Sequence, residues 1–439
     1  MKKKAALHNL GCKVNAYELE AIQQMLEQQG YEIVPFAPGA DIYIINTCTV
    51  TNIADRKSRQ MLHKAKKMNP DAVVVACGCY VQAAGEKLEQ DSAIDLVVGN
   101  NKKKEIPAIL EEYFREKEEG RSGSGTWVTD MTHNREYETL SISRTAEHTR
   151  AFIKVQDGCN QFCTYCIIPY ARGRVRSRRP EDVLEEVRRL AESGCQEVVL
   201  TGIHLSSYGV DLEEGQNLLA LIRTIHAVDG IRRIRLGSLE PGIITEEFAE
   251  AIAALPKVCP HFHLSLQSGC DTVLERMNRR YRSEEYKEKC RLLRRVYDRP
   301  ALTTDVIVGF PGETEEEFEA SRAFVEEVNF FETHIFKYSR REGTRAAAMP
   351  DQIPEQEKTR RSHILLELDA QRRQEYMESF LGEEKEVLLE EKVELDGKNW
   401  WVGYTREYLK AIVPDDGKNR ANEMISVRFS KIYHREYLL

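Results

Sequence analysis

The sequence predicts an α/β protein of several domains: an open parallel sheet, then an incomplete six-unit βα barrel, then a small all-β module. Three observations predict it. The 439 residues are about three times a common domain length of ~150. Short apolar runs alternate with helical patterns over most of the chain, as parallel sheets require. Beyond about residue 380 that texture gives way to short strands with Asp-Gly turns.

In residues 1–115, Ala5–Leu10, Ile42–Asn46 and Val73–Ala76 read as buried strands. Ala16–Gln29, Ile53–Met68 and Lys102–Arg115 read as amphipathic helices between them. Residues 116–144 are polar and carry the run Gly120-Arg121-Ser122-Gly123-Ser124-Gly125, which reads as a linker or flexible excursion. Residues 145–375 repeat one unit. Strands begin near Phe152, Glu197, Arg233, His261, Leu302 and Thr333. Helices follow at Glu181–Ala191, Leu218–Ala227, Glu246–Ala254, Glu284–Val296, Glu315–Val328 and Glu355–Ser379. Thr314 and Glu317 have the spacing of a capping box. Six units suit a partial barrel better than a closed eightfold one. Residues 376–439 hold strand patterns at Glu386–Glu390, Trp400–Tyr404, Leu409–Val413 and Met424–Ile432, with turns at Asp396-Gly397 and Asp415–Gly417. They read as a small barrel or sandwich.

Composition narrows the function. No window approaches ~18 consecutive apolar residues, so no membrane span is expected. The basic start, Met1–His8, lacks an apolar segment and a cleavage site, so a cytoplasmic protein is expected. The net charge of −8 excludes a uniformly basic nucleic-acid binder but leaves room for a local basic patch. Eleven cysteines in such a chain read as metal ligands or free thiols.

Cys159, Cys163 and Cys166 carry the sharpest signal. Three thiolates spaced CxxxCxxC on one loop hold three irons of a cubane cluster and leave the fourth open, where an amino acid's amine and carboxylate can chelate. Zinc is the competing metal, yet structural zinc sites are closed by four ligands, and no second CxxC or HxxxH lies in this unit. Cys12, Cys48 and Cys79 each follow a predicted strand, at the sheet end where α/β proteins bind ligands. They can meet at one cluster, or be small buried residues at tight turns. Cys77 and Cys79 share a strand face, so periodicity does not choose between them. Cys195, Cys259, Cys270 and Cys290 match no ligand pattern.

Other candidates follow from position. The carboxyl ends of the barrel strands place Thr201, Gly202, Ser238, Glu240, Gln267, Gly309 and Phe310 where a cofactor binds, each with turn or barrel packing as its plainer role. The run with Arg172, Arg174, Arg176, Arg178 and Arg179 directly follows the cysteine loop. It reads as a phosphate clamp for RNA or as a solvated face, with Arg178 also a candidate for a cofactor carboxylate. Trp400, Trp401, Tyr404 and Tyr408 can stack on bases or form a core. Ten Lys/Arg against thirteen Asp/Glu from Tyr376 onward give RNA binding no support from charge.

The cysteine triplet, with Asp157-Gly158 before it and Ile168–Gly173 after it, resembles the radical S-adenosylmethionine methylthiotransferases. So do the stretches 263–269, 304–314 and 338–344, and the likeness spans essentially the whole chain. It implies two [4Fe-4S] clusters and S-adenosylmethionine. Cys159, Cys163 and Cys166 would hold the cluster that cleaves S-adenosylmethionine to a 5′-deoxyadenosyl radical, with Tyr165 by its adenine. Cys12, Cys48 and Cys79, rather than Cys77, would hold the cluster that carries the sulfur. The last module resembles a TRAM domain, an RNA-binding barrel. Leu10–Asn15, Asn46–Asn52, Leu200–His204 and Val402–Thr405 point to the branch acting at C2 of N6-threonylcarbamoyladenosine 37 in the tRNA anticodon loop. The branch acting on isopentenyladenosine is the first alternative, and the one acting on a ribosomal-protein aspartate is further away. A non-catalytic, metal-holding RNA-binding protein is the alternative of another class. The resemblance further implies an electron donor such as flavodoxin or ferredoxin, and a source of sulfur.

Overall fold

The computed structural model describes residues 2–85, 88–121, 123–145 and 149–439. Ser122 of the glycine–serine run and residues 146–148, at the expected start of the barrel, lie outside the described residues.

The first unit is a parallel sheet of β1 (Lys4–Asn9), β2 (Glu32–Ile33), β3 (Ile42–Thr47), β4 (Val73–Gly78), β5 (Leu96–Val98) and β6 (Gly125–Trp127), in the order 2-1-3-4-5-6. Every residue of β3 and β4 is buried because helices cover both faces. Leu19, Ile22 and Leu26 of α1 (Lys13–Gln28) and Ile106, Ile109 and Leu110 of α4 (Ile106–Glu118) cover one face. Leu62 and Ala65 of α2 (Asn52–Met68) and Tyr80 and Val81 of α3 (Cys79–Ala84) cover the other. The strand order reverses between β1 and β3, which opens a ligand crevice beyond their carboxyl ends.

The segment expected as a linker is instead part of the fold. It carries α4 through Glu118, supplies edge strand β6, and buries Leu140 and Ile142 in the barrel core. Its polar composition gave no sign of these few apolar anchors.

The second unit is an arc of six parallel strands, β7 (Arg150–Asp157), β9 (Glu197–Gly202), β10 (Arg233–Leu236), β11 (His261–His263), β12 (Ala301–Val308) and β13 (Glu332–Lys337), flanked beyond β7 by antiparallel β8 (Arg176–Ser177). Isolated bridges Ile234–Val258 and Leu239–Leu264 join β10 to β11. Helices α6 (Pro180–Glu192), α7 (Leu218–His226), α8 (Glu246–Ala253), α10 (Ser283–Val296), α11 (Glu315–Val328) and α12 (Glu355–Glu378) follow the strands as expected, with short α5 (Ile168–Arg172) and α9 (Asp271–Arg276) in the loops. Thr314 and Glu317 form the expected capping box. Tyr17 and Ala21, on the far side of α1, enter the barrel core, so α1 is shared by both units.

The third unit is one six-stranded, mostly antiparallel sheet, β14 (Glu384–Leu395), β15 (Lys398–Tyr404), β16 (Lys410–Pro414), β17 (Met424–Arg428), β18 (Ile432–Tyr433) and β19 (Tyr437–Leu438). Asp396 and Gly397 both have positive φ, 51° and 70°, as a tight hairpin turn needs. The sheet docks on the amino ends of the barrel strands: Arg233 donates to Tyr404 O at 2.9 Å, Arg235 to Thr405 O at 3.3 Å, and Arg150 pairs with Glu390 at 2.6 Å. No helix among the described residues is long and apolar enough to cross a membrane.

Trp400 and Trp401 are corrected by this arrangement. Neighbours on a strand face opposite ways, and here both ways are covered. Trp401 packs with Phe331, Met377 and Phe380, and Trp400 with Ile412 and Tyr433, leaving them 3% and 9% exposed. They are core residues and not a stacking platform. Trp401→Ala is expected to lower stability by about 3–5 kcal/mol in denaturant titration. An unchanged midpoint with weakened RNA binding would contradict this placement.

Candidate active site

The first thiol set lies at the carboxyl end of β7. Gly158 has φ 72°, and a Cβ there would sit 1.9 Å from Arg174 O, so only glycine lets the loop leave the strand. The loop is pinned by Cys159 N donating to Gly173 O at 3.0 Å, Cys166 N to Cys163 O at 3.0 Å, and Thr164 N to Met277 O at 3.0 Å. Cys159, Cys163 and Cys166 are half-buried free thiols. Burial first, then the neighbouring thiols, pushes Cys159 up to about 11 and Cys166 to about 12. Thiolates at such a place need cationic compensation. Part of it is Arg279, which donates to Cys163 Sγ at 3.3 Å and to Glu240 at 2.8 and 2.9 Å. Glu240 also faces His204 at 3.5 Å. Although burial opposes it, His204 and Arg279 hold the Glu240 carboxyl below its usual range.

The second set gathers at the sheet's switch point. Cys12 precedes α1, Cys48 follows β3, and Cys79 opens α3. A Cβ on Gly11 would lie 3.3 Å from Cys48 Sγ, so this glycine, at φ 117°, allows the two loops to approach. Arg172 Nε donates to Cys79 Sγ at 3.1 Å, and Cys12 Sγ to Asn15 Oδ1 at 3.6 Å. Burial, with Cys79 and Cys12 adding to it, pushes Cys48 up to about 11. Cys77 does not join them. The backbone breaks at Gly78 (φ 95°), so the two-residue periodicity ends there. Cys77 stays in the sheet core, its thiol 3.6 Å from Ile45 O, while Cys79 leaves on α3.

Both sets suit a multi-iron cluster. Each has three thiols and an arginine on one sulfur. Among the described residues only His263, Asp305 and His334 bring three ligand atoms within 4.8 Å of one another, so neither thiol set closes to the spacing of a single ion.

The arginine run is mostly interior. Arg172 is fully buried and pairs with Glu18 of α1, at 3.1 Å through Nη2, and with Asp157 at 3.3 Å. Lys154 and Lys103 reach the same Glu18 at 2.8 and 3.1 Å. Arg176 is buried 3.7 Å from Asp157. Arg178 is buried against Glu186 and Tyr17, which excludes a cofactor carboxylate as its partner. A run of like charges usually faces water, but here Glu18, Asp157 and Glu186 draw it inward. Arg172 and Arg176 therefore do not contact RNA in this fold. Arg174 is half-buried over the Phe162 ring at 4.4 Å, and Arg179 is exposed beside Asp182 at 2.9 Å.

The positional candidates divide. Tyr165 packs on Val273, Met277, Phe310 and Tyr338, with Phe310 wholly buried behind it. Gly309 (φ 69°) lies against Lys358, and Glu313 accepts its N–H at 2.6 Å. Gln267 is left-handed at φ 73° and bridges to Val306 through its backbone. Thr201 is buried, Gly202 packs on Gln156, and Ser238 is exposed. Sequence reading missed Arg279, Glu18 and Lys154, and gave His204 only as part of a family stretch. Arg279 is placed by the end of α9, where Asn278 takes φ 60° and Arg279 N donates back to Leu274 O at 2.9 Å.

Where the three units meet, a cavity of about 790 Å³ is lined by Lys13, Ser238, His263, Asp305, Tyr404 and Tyr408, among others.

An incomplete parallel barrel with three thiols beyond its first strand defines a radical S-adenosylmethionine protein. Residues 153–325 match the radical SAM superfamily, and residues 4–99 match an uncharacterized protein family, UPF0004. The threonylcarbamoyladenosine tRNA methylthiotransferase MtaB of Bacillus subtilis is 42% identical over 408 residues, covering 93% of this chain and 89% of that protein. Its namesake from Aquifex aeolicus is 42% identical, covering 93% and 98%. The tRNA-2-methylthio-N6-dimethylallyladenosine synthase of Moorella thermoacetica is 38% identical, covering 96% and 94%. Among solved structures, the radical S-adenosylmethionine methyltransferase TsrM of Kitasatospora setae shares the fold, with a TM-score of 0.59 and 21% identity over 79% of this chain and 77% of that one. The chain belongs to the radical S-adenosylmethionine tRNA methylthiotransferase family.

Proposed function

We propose that this enzyme methylthiolates C2 of N6-threonylcarbamoyladenosine at position 37 of tRNA. The observation that carries the reading is the pair of thiol sets, one at the carboxyl end of the barrel and one at the switch point of the sheet docked beside it. The substrate branch is supported by 42% identity to two relatives named for threonylcarbamoyladenosine, against 38% for one named for dimethylallyladenosine.

The target C–H is unactivated, so the clusters and S-adenosylmethionine supply, when bound, the radical and the sulfur that no side chain provides. Cys159, Cys163 and Cys166 would hold one cluster and Cys12, Cys48 and Cys79 the other. Arg279 and Arg172 neutralise thiolate charge by hydrogen bonding to one sulfur of each set. Glu240 fixes Arg279, and Glu18 with Asn15 fixes Arg172. Tyr165 offers an apolar face for adenine, and Arg174 and Arg179 remain as phosphate contacts. Turnover draws on a low-potential electron donor of the flavodoxin or ferredoxin kind and on a sulfur source, and a cytoplasmic location suits the tRNA substrate.

The test is nucleoside mass spectrometry of tRNA from a host that lacks its own adenosine-37 methylthiotransferases but makes both precursor nucleosides. With the gene present, a methylthio group is expected on threonylcarbamoyladenosine alone. A gain on isopentenyladenosine instead would overturn the substrate, and stoichiometric zinc without sulfide in the purified protein would overturn the chemistry.

A further inference from the structure

We infer that Lys13 receives the carboxylate of the adenosine's N6 substituent and so sets the preference for a carboxylate-bearing substrate. This rests on the functional reading above and assigns the group that enforces it. Lys13 directly follows Cys12 as the first residue of α1, and its exposed side chain lies on the wall of the cavity shared by the three units.

Most of the charged groups on that wall already have partners. Asp305 faces His263 at 3.2 Å, Glu332 faces Arg373 at 3.7 Å, and Glu436 pairs with Lys410. His434 is taken by Asp396 at 2.9 Å. Among the described residues, Lys13 meets no carboxylate at ion-pair distance, and neither does Arg435, which is exposed. An ammonium with no carboxylate at ion-pair distance, and with the guanidinium groups of Arg150 and Arg235 near it, suits an anion brought by a ligand. The amino end of the sixteen-residue helix α1 adds its positive dipole at the same spot.

The chemistry of the base makes the position meaningful. In adenine, C2 and C6 flank N1, so a substituent on N6 lies along the same edge as the carbon to be modified. Lys13 follows Cys12 directly in the chain, so a base that presents C2 to the sulfur-carrying set would turn this edge toward the amino end of α1. A threonylcarbamoyl group ends there in a carboxylate and a hydroxyl, for which Lys13 and the neighbouring His263 and Ser238 offer partners. A prenyl group offers nothing to a lysine, and its approach would leave that cation desolvated and unpaired.

The test uses the reconstituted enzyme and anticodon stem-loops carrying threonylcarbamoyladenosine, its carboxylate-neutralised methyl amide, or isopentenyladenosine. The wild type is expected to bind the carboxylate form about ten-fold or more tightly than the amide. Lys13→Met should bind the two alike, at the weaker level, while Lys13→Arg keeps most of the preference. An indifferent wild type, or a Lys13→Met enzyme that still prefers the carboxylate, would overturn the assignment. The wild-type comparison needs no variant, so a poorly folding substitution does not obscure it. A wild type that methylthiolates only isopentenyladenosine would instead overturn the functional reading itself.

Discussion

Replacing Cys12, Cys48 and Cys79 together with alanine is expected to bring methylthio product below detection while 5′-deoxyadenosine still forms. The two thiol sets stand on different units, one after β7 of the barrel and one after β1, β3 and β4 of the sheet. Among the described residues, no backbone hydrogen bond that pins the loop 159–166 comes from the sheet; its partners are Gly173, Cys163, Met277 and Ala346. Arg172 would lose Cys79 but keep Glu18, Asp157 and Asn15, so it remains paired. Removing one set should thus leave the other's chemistry and the fold standing. Chromatography of both products from one anaerobic reaction reads the result, with iron and labile sulfide reduced but not lost. Product at wild-type level would refute the sulfur-donor role. Loss of both products with the fold intact would show that the sets do not act separately.

The second large effect is expected from Glu18→Gln. Glu18 is fully buried and faces Arg172, Lys154 and Lys103. Removing the negative charge at the centre of three buried cations, and turning an amide N–H toward them, should cost about 3–5 kcal/mol. Glu288→Gln is the control, because its partner Arg291 is exposed and such pairs contribute little. The pH dependence has a definite sign. Burial alone would raise the Glu18 carboxyl, but Arg172, Lys103 and Lys154 together hold it well below the carboxylate range. Its contribution is therefore present above the ordinary carboxylate pKa of ~4.5 and is lost as pH falls into the acid range. The variant should show a flatter acid limb in denaturant titrations across pH. A limb identical to wild type would mean that the three cations find another acceptor.

Both thiol sets were legible in the sequence, for different reasons. Cys159, Cys163 and Cys166 signal through spacing within one loop, which needs no knowledge of the fold. Cys12, Cys48 and Cys79 were found because strand ends of a parallel sheet converge, and the helices of the barrel because amphipathic periods and the Thr314 capping box mark them. The arginine run was misread because exposure is not a local property. Arg172 is drawn inside by Glu18, far upstream on α1, and nothing near residue 172 announces that partner. The tryptophans failed for a related reason. Alternation tells which residues face opposite ways but not that α12 and the β18–β19 edge cover both sides. Periodicity did not separate Cys77 from Cys79; the family resemblance favoured Cys79, and the backbone break at Gly78 gives the physical reason.

The buried charge cluster around Glu18 also bears on how such chains recombine. Its acid comes from the first unit and two of its three cations, Arg172 and Lys154, from the second. Tyr17 and Glu186 repeat the pattern across the same boundary. A chimera that exchanged residues 1–115 for those of a relative would match its new amino-terminal half to the old barrel only if Asn15, Tyr17, Glu18 and Lys103 arrived with their counterparts. The crossover that looks safest along the sequence separates the partners of a buried charge cluster.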